Sequence, residues 1–146
     1  MEILRRVASF GAPIEDLRQI CILFVRSLIE QSAVVWHSSL SDDENISIEH
    51  VQKSAVKIIL GNRYKSYKDG LDKLNLVTLK ERRDEICLNF AKKCVRNPKT
   101  RDMFQKNTKD HEMNLRHTEQ FKVQFAKNER LRKSPIIFMQ NLHQNT

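Results

Sequence analysis

Apolar residues recur along this chain at intervals of three and four, the period of a helix that buries one face. The strongest run is Ile14, Leu17, Ile20, Cys21, Phe24, Val25, Leu28 and Ile29, with Ile22 and Leu23 widening the stripe. It predicts the most buried helix of the chain, reaching Trp36 or Leu40 either straight or with a kink. Pro13 suits its first turn, where Glu15 and Asp16 sit near the positive end of the helix dipole. Upstream, residues 2–10 read as a short helix stopped by Gly11.

A polar stretch, Ser41-Asp42-Asp43-Glu44-Asn45, reads as a loop before a helix near Ile48 to Leu60. The inner face of that helix is expected at Ile48, Val51, Ala55, Ile58 and Ile59, and Gly61-Asn62 ends it. A short helix over 66–74 turns Leu71 and Leu74 inward. Thr78-Leu79-Lys80-Glu81 matches a capping box, in which hydroxyl and carboxylate each satisfy a free amide of the first turn. Leu79, Ile86, Phe90, Ala91 and Cys94 follow on one side, until Asn97-Pro98 ends the helix. Beyond Pro98 the pattern weakens to one turn over 102–104 and isolated Met113, Leu115 and Leu131. The only period-2 alternation runs through Phe121, Val123 and Phe125, and Ser134-Pro135 starts a terminal helix with Ile136, Ile137, Met139 and Leu142.

These elements predict an all-α fold, an irregular helical bundle of about four to five helices with an extended, adherent C-terminal tail. The expected division is a short N-terminal helix over 1–11, a helical domain over 12–97, and a basic tail with a short terminal helix over 98–146. Only 3 Gly and 3 Pro interrupt the 146 residues, which fits this helical reading.

Charge changes the picture more than composition does. The formal net charge is +8, but residues 1–40 carry four basic and four acidic groups and residues 41–60 two and four. Residues 61–100 carry eleven and five, and residues 101–146 nine and five, so the whole excess lies past Gly61. Such a half attracts a polyanion in a salt-dependent way, or it is a solvated basic surface without a specific partner. Three cysteines, Cys21, Cys87 and Cys94, give no disulfide framework and suit a reducing, intracellular setting, nuclear or cytoplasmic. Neither a secretory leader nor a membrane span is read here, since the apolar stretch ICILFV is short and bounded by Arg18 and Arg26.

No arrangement of side chains suggests autonomous catalysis. Asp42-Asp43 lacks the flanking strands and the third carboxylate block of a two-metal site. His37, His50, His111, His117 and His143 have no ligand spacing, and Cys87 and Cys94 read as core thiols. No catalytic residue, metal ligand, cofactor or small-molecule substrate is therefore expected. Two basic groups remain. Lys53, Lys57, Arg63, Tyr64, Lys65, Tyr67 and Lys68 interleave cations with tyrosines, as groups that hold phosphates and stack bases do, although either ring can instead dock on the core. Arg82 and Arg83 sit among Lys80, Lys92, Lys93 and Arg96, and are candidates for phosphate contact or for solvated ion pairs with Glu81, Asp84 or Glu85.

Three blocks then fall in a telling order. Arg26, Ser27, Glu30, Val35 and Trp36 form the first; Val51, Gln52, Ala55, Ile58, Ile59, Leu60 and Gly61 the second; Tyr64, Ser66, Tyr67, Leu71, Leu74, Leu76, Leu79, Arg82 and Arg83 the third. Asn128-Glu129-Arg130 and Ser134-Pro135-Ile136 follow near the end. This succession resembles the C-terminal region of jockey-type non-LTR retrotransposon reverse transcriptases, with Gln31 where that family usually has an aromatic. The resemblance implies a helical region downstream of the polymerase palm, which positions template RNA or target DNA and supports the missing polymerase domains. It carries over no catalytic residue, because fingers and palm are absent. The function expected is thus a non-catalytic accessory fragment of an RNA-directed DNA polymerase. The alternatives are a stand-alone basic nucleic-acid-binding module or an inactive transposon remnant.

Overall fold

A computed structural model of the chain describes residues 1–104 and 127–144. The described residues are helical with no strand, an all-α fold. The expectations for Met113, Leu115, His111, His117 and the alternating 121–125 segment lie outside the described residues. Contacts divide the chain into two compact units, one of Met1–Ala33 with Leu40–Arg83, the other of Val34–Ser39 with Asp84–Thr146.

In the first unit α1 (Glu2–Ser9) precedes α2 (Ile14–Ile20), which continues as a π-helical turn, Cys21–Arg26, into α3 (Ser27–Glu30). The π turn reorders the predicted face. One additional residue per turn carries Arg26 inward, to 7% exposure, and leaves Leu23, Phe24 and Leu28 at 63%, 61% and 73%. This helix is therefore not the most buried of the chain, contrary to its apolar content. Nor does it run on unbroken to Trp36, because Ser32 adopts a positive φ of 55° before α4 (Ala33–Trp36) begins. Arg26 and Glu30, four apart, form an ion pair at 3.5 Å, so the R-S-x-x-E block is an intrahelical pair with a buried cation.

The next helix, α5 (Asp42–Leu60), begins where the sequence suggested a loop. Ser41 caps it. Its hydroxyl oxygen accepts the Glu44 amide at 3.3 Å, while the Glu44 carboxylate accepts the Ser41 amide at 2.8 Å. The acidic run Asp42-Asp43-Glu44 thus occupies the first helical turn, where the dipole favours it. The buried face of α5 is rotated from the expected one. It presents Gln52, Ala55, Val56, Ile59 and Leu60, while Val51 is 36% exposed. Gln52 turns inward because its amide has two acceptors, the Tyr67 hydroxyl and the Val77 carbonyl, both at 3.0 Å.

A tight turn, Gly61–Arg63, leads to α6 (Tyr67–Leu74), capped by Ser66, whose hydroxyl accepts the Asp69 amide at 3.2 Å. Helices α5 and α6 approach closely at Gly70, where an added Cβ would stand 2.5 Å from Val56 Cγ1. The core of the unit gathers Leu4, Leu17, Cys21, Ala55, Val56, Ile59, Leu60, Leu71, Leu74 and Leu76. Leu71 and Leu74 point inward as their spacing predicts. Arg18 ties α2 to the end of α6 by donating to the Leu74 carbonyl at 2.6 Å.

Helix α7 (Leu79–Arg96) starts at the expected capping box: the Thr78 amide donates to Glu81 and the Glu81 amide to the Thr78 hydroxyl, both at 3.2 Å. In the second unit its residues Cys87, Ala91 and Cys94 pack with Phe104 and with Met139 of α9 (Pro135–Gln144). Between them in sequence lie a short turn, Arg101–Phe104, and α8 (Glu129–Arg132). Phe90, expected inside, is 43% exposed, and Ile136 is 39% exposed. His37, in the turn His37–Ser39, is buried, bonds Asp84 at 2.8 Å and meets the Phe138 ring edge-on at 5.5 Å.

Candidate nucleic-acid interface

The turn after Gly61 builds a concavity with a basic lining in the first unit. Gly61 ends α5 with φ 49° and ψ −123°, a conformation that side chains resist, and the chain doubles back as the Tyr64 amide donates to the Gly61 carbonyl at 3.1 Å. Arg63 and Lys65 leave this turn exposed. Together with Lys73 of α6, Ile14 of α2 and Leu60 of α5 they line a groove of about 470 Å³. Lys73 braces it: its ammonium donates to the Arg63 carbonyl at 3.2 Å and pairs with Asp69 at 2.8 Å. Asp69 largely neutralises Lys73, so Arg63 and Lys65 are the cations of the groove that form no ion pair with a described residue.

The remaining candidates separate into three environments. Lys57 lies over the Tyr64 ring at 5.6 Å, a cation–π contact that holds a half-buried tyrosine beside the turn. Lys53 is half-buried one helical turn earlier, and Lys68 is exposed on α6; neither lines the groove. Tyr67 faces inward. Its hydroxyl donates to the Glu49 carboxylate and accepts from Gln52. Burial, with the hydrogen bond to Glu49, holds its phenol above the ordinary value. Tyr67 is thereby a tie between helices and not a free stacking surface.

The two arginines after Thr78 also part company. Arg82 pairs with Glu30 at 3.5 Å, and the same carboxylate oxygen serves Arg26, so Glu30 stands between two guanidinium groups. Arg83 is fully buried at 0% exposure and donates to the Asn45 side chain at 2.8 Å, which removes it from any surface that meets a phosphate. Both arginines thus reach partners far along the chain, and Asp84 bonds His37. Lys73 joins the site only in the fold, as do Ile14 and Leu60, which the sequence marks as helix-face and motif residues rather than as site residues. The i,i+4 pair Asp69–Lys73 was a local signal for the first; no local signal joins Ile14 to the turn, since the two meet only by packing.

Among the described residues no group of three or more His, Cys, Asp or Glu side chains is placed to hold a metal ion. Cys21, Cys87 and Cys94 are all buried and form no disulfide, and desolvation raises the Cys21 thiol above its ordinary range. Among the same residues no single helix is long and apolar enough to cross a membrane. No known protein family, no characterised protein and no solved structure matches this chain.

Proposed function

We propose that this chain acts as a non-catalytic, C-terminal accessory piece of a mobile-element reverse transcriptase, helping to position template RNA or target DNA. The observation that carries the nucleic-acid half of this reading is the pair Arg63 and Lys65. Both stand exposed at the edge of a groove, without an ion pair to a described residue, in the half of the chain that holds all of the basic excess. Phosphate contacts of this kind position a nucleic acid without reading its sequence. Support for the polymerase half is the order of the three motif blocks between Arg26 and Arg83. Partners on this reading are RNA or DNA and the polymerase domains of a parent protein.

The test is binding of the full chain to labelled RNA and DNA at several salt concentrations. Affinity is expected to fall steeply with salt, and to weaken when Arg63 and Lys65 become alanine. A chain that ignores both nucleic acids at low salt is an inactive remnant, and the reading is then wrong. Copying of a primed RNA template by the chain alone would sink the non-catalytic part. A second reading, a stand-alone basic module, draws on the closed apolar core of the first unit. It predicts the same binding but no stimulation of a polymerase core supplied in trans.

A further inference from the structure

We propose that the groove beside the Gly61 turn takes an unpaired nucleic-acid strand, with a base against Ile14 and Leu60 and the flanking phosphates on Arg63 and Lys65. This rests on the nucleic-acid reading above and narrows it from any polyanion to a single strand.

The groove combines two features that a duplex does not need together. Its lining sets the aliphatic side chains of Ile14 and Leu60 among cations. A duplex presents phosphates outward and keeps its bases stacked, so exposed lysines and arginines suffice for it and aliphatic side chains add nothing. An unpaired strand turns base faces toward solvent, and covering one such face removes apolar surface from water. These two side chains are aliphatic, so they offer a base no hydrogen-bonding edge. The contact should therefore tolerate any base, and sequence preference should be weak.

Size and preorganisation agree with this occupant. A volume of about 470 Å³ lies within the range of small-molecule sites, roughly 300–1,000 Å³. The loop bearing Arg63 is tied back by Lys73 through the Arg63 carbonyl, so less of its freedom is lost when a strand binds. Even with Lys73 balanced by Asp69, the lining keeps two cations beside two apolar side chains, which suits a polyanion better than an acyl chain.

The experiment measures fluorescence anisotropy of the full chain with a labelled single-stranded oligonucleotide, a duplex of equal length, and vesicles rich in anionic lipid. The single strand is expected to bind about tenfold more tightly than the duplex. Arg63→Ala with Lys65→Ala should lower the single-strand salt slope by about 1.4, two phosphates at roughly 0.7 each. Ile14→Asp should abolish the preference for the single strand. Position 14 opens α2, where an acidic residue is favourable to the helix dipole, and circular dichroism checks that the variant folds. Lys68→Ala, outside the groove, serves as the control, and an equal loss there means a diffuse basic surface and overturns the site. Equal affinity for single strand and duplex overturns this inference while the nucleic-acid reading stands. Binding to neither nucleic acid overturns both, and capture by vesicles alone assigns the groove to lipid.

Discussion

Tyr67 donates its hydroxyl proton to Glu49, and the same carboxylate accepts the backbone amide of Leu79 at 3.1 Å. One acidic side chain on α5 thereby joins the face of α6 to the first turn of α7. Gln52, one turn further along α5, closes the arrangement by donating to both Tyr67 and Val77. The third motif block, Tyr64 to Arg83, thus holds its shape through a buried polar network as much as through its leucines.

Tyr67→Phe keeps the ring and removes the tie. We expect a loss of about 1–2 kcal/mol in urea unfolding near neutral pH. The alkaline limb also changes. Burial and the Glu49 hydrogen bond raise the folded-state phenol above its ordinary value of 10.0, so from about pH 10 the unfolded chain loses this proton first. Stability contributed by the neutral phenol is complete below that pH and is lost as pH climbs toward the folded value. Phe at position 67 should flatten this limb; an unchanged alkaline slope would count against the tie.

Glu30 is shared by Arg26 and Arg82, both at 3.5 Å. Because Arg26 is buried, Glu30→Gln strands a cation in a poor solvent and should cost about 3–5 kcal/mol in denaturant unfolding. Arg82→Gln, at the more exposed side of the carboxylate, should cost about 1 kcal/mol or less. Equal costs for the two variants would refute the asymmetry.

Gly70 lies where α6 crosses α5 most closely. A methyl group there meets Val56 Cγ1 at 2.5 Å and Leu60 Cδ1 at 3.3 Å, and Val56 is fully buried. Gly70→Ala should destabilise by about 1–3 kcal/mol. Adding Val56→Ala makes room for the methyl, so the double variant should be more stable than the sum of its parts. Strict additivity in thermal melts would rule out the clash.

His37 and Asp84 form a hydrogen bond at 2.8 Å within the second unit, and the histidine ring meets Phe138 of α9. His37→Ala should lower hydrogen-exchange protection of α9 by about 1.5–3 kcal/mol, the range for bonds to charged partners. Protection of α5 should stay unchanged. Uniform loss across both helices would show that the pair has no local role.

Much of the local structure was legible in the chain. Thr78 and Glu81 announce their helix, and so do Ser41 and Glu44, a second S-x-x-E signature spanning the acidic pair Asp42 and Asp43. Arg26 and Glu30 are spaced to pair, and Leu71 and Leu74 to turn inward. The candidate interface was legible only in part. Arg63 and Lys65 stand exposed beside the groove, whereas Arg83 lies buried on Asn45, a partner whose distance in sequence no window spans.

Helicity of the described residues, the points where most of their helices stop and the basic charge past Gly61 are all legible locally. Helical period, caps and charge are local properties, set by neighbours within a few residues. Which faces close depends on long-range packing. A π turn rotated Phe24 and Leu28 outward and Arg26 inward, and Gln52 turned α5 to reach Tyr67 and Val77. Ile14 was brought to Arg63 and Lys65, making a groove from a basic turn. Arg26 and Gln52 turn inward toward polar partners, and Ile14 is placed by apolar packing; both kinds of contact join residues at any distance along the chain.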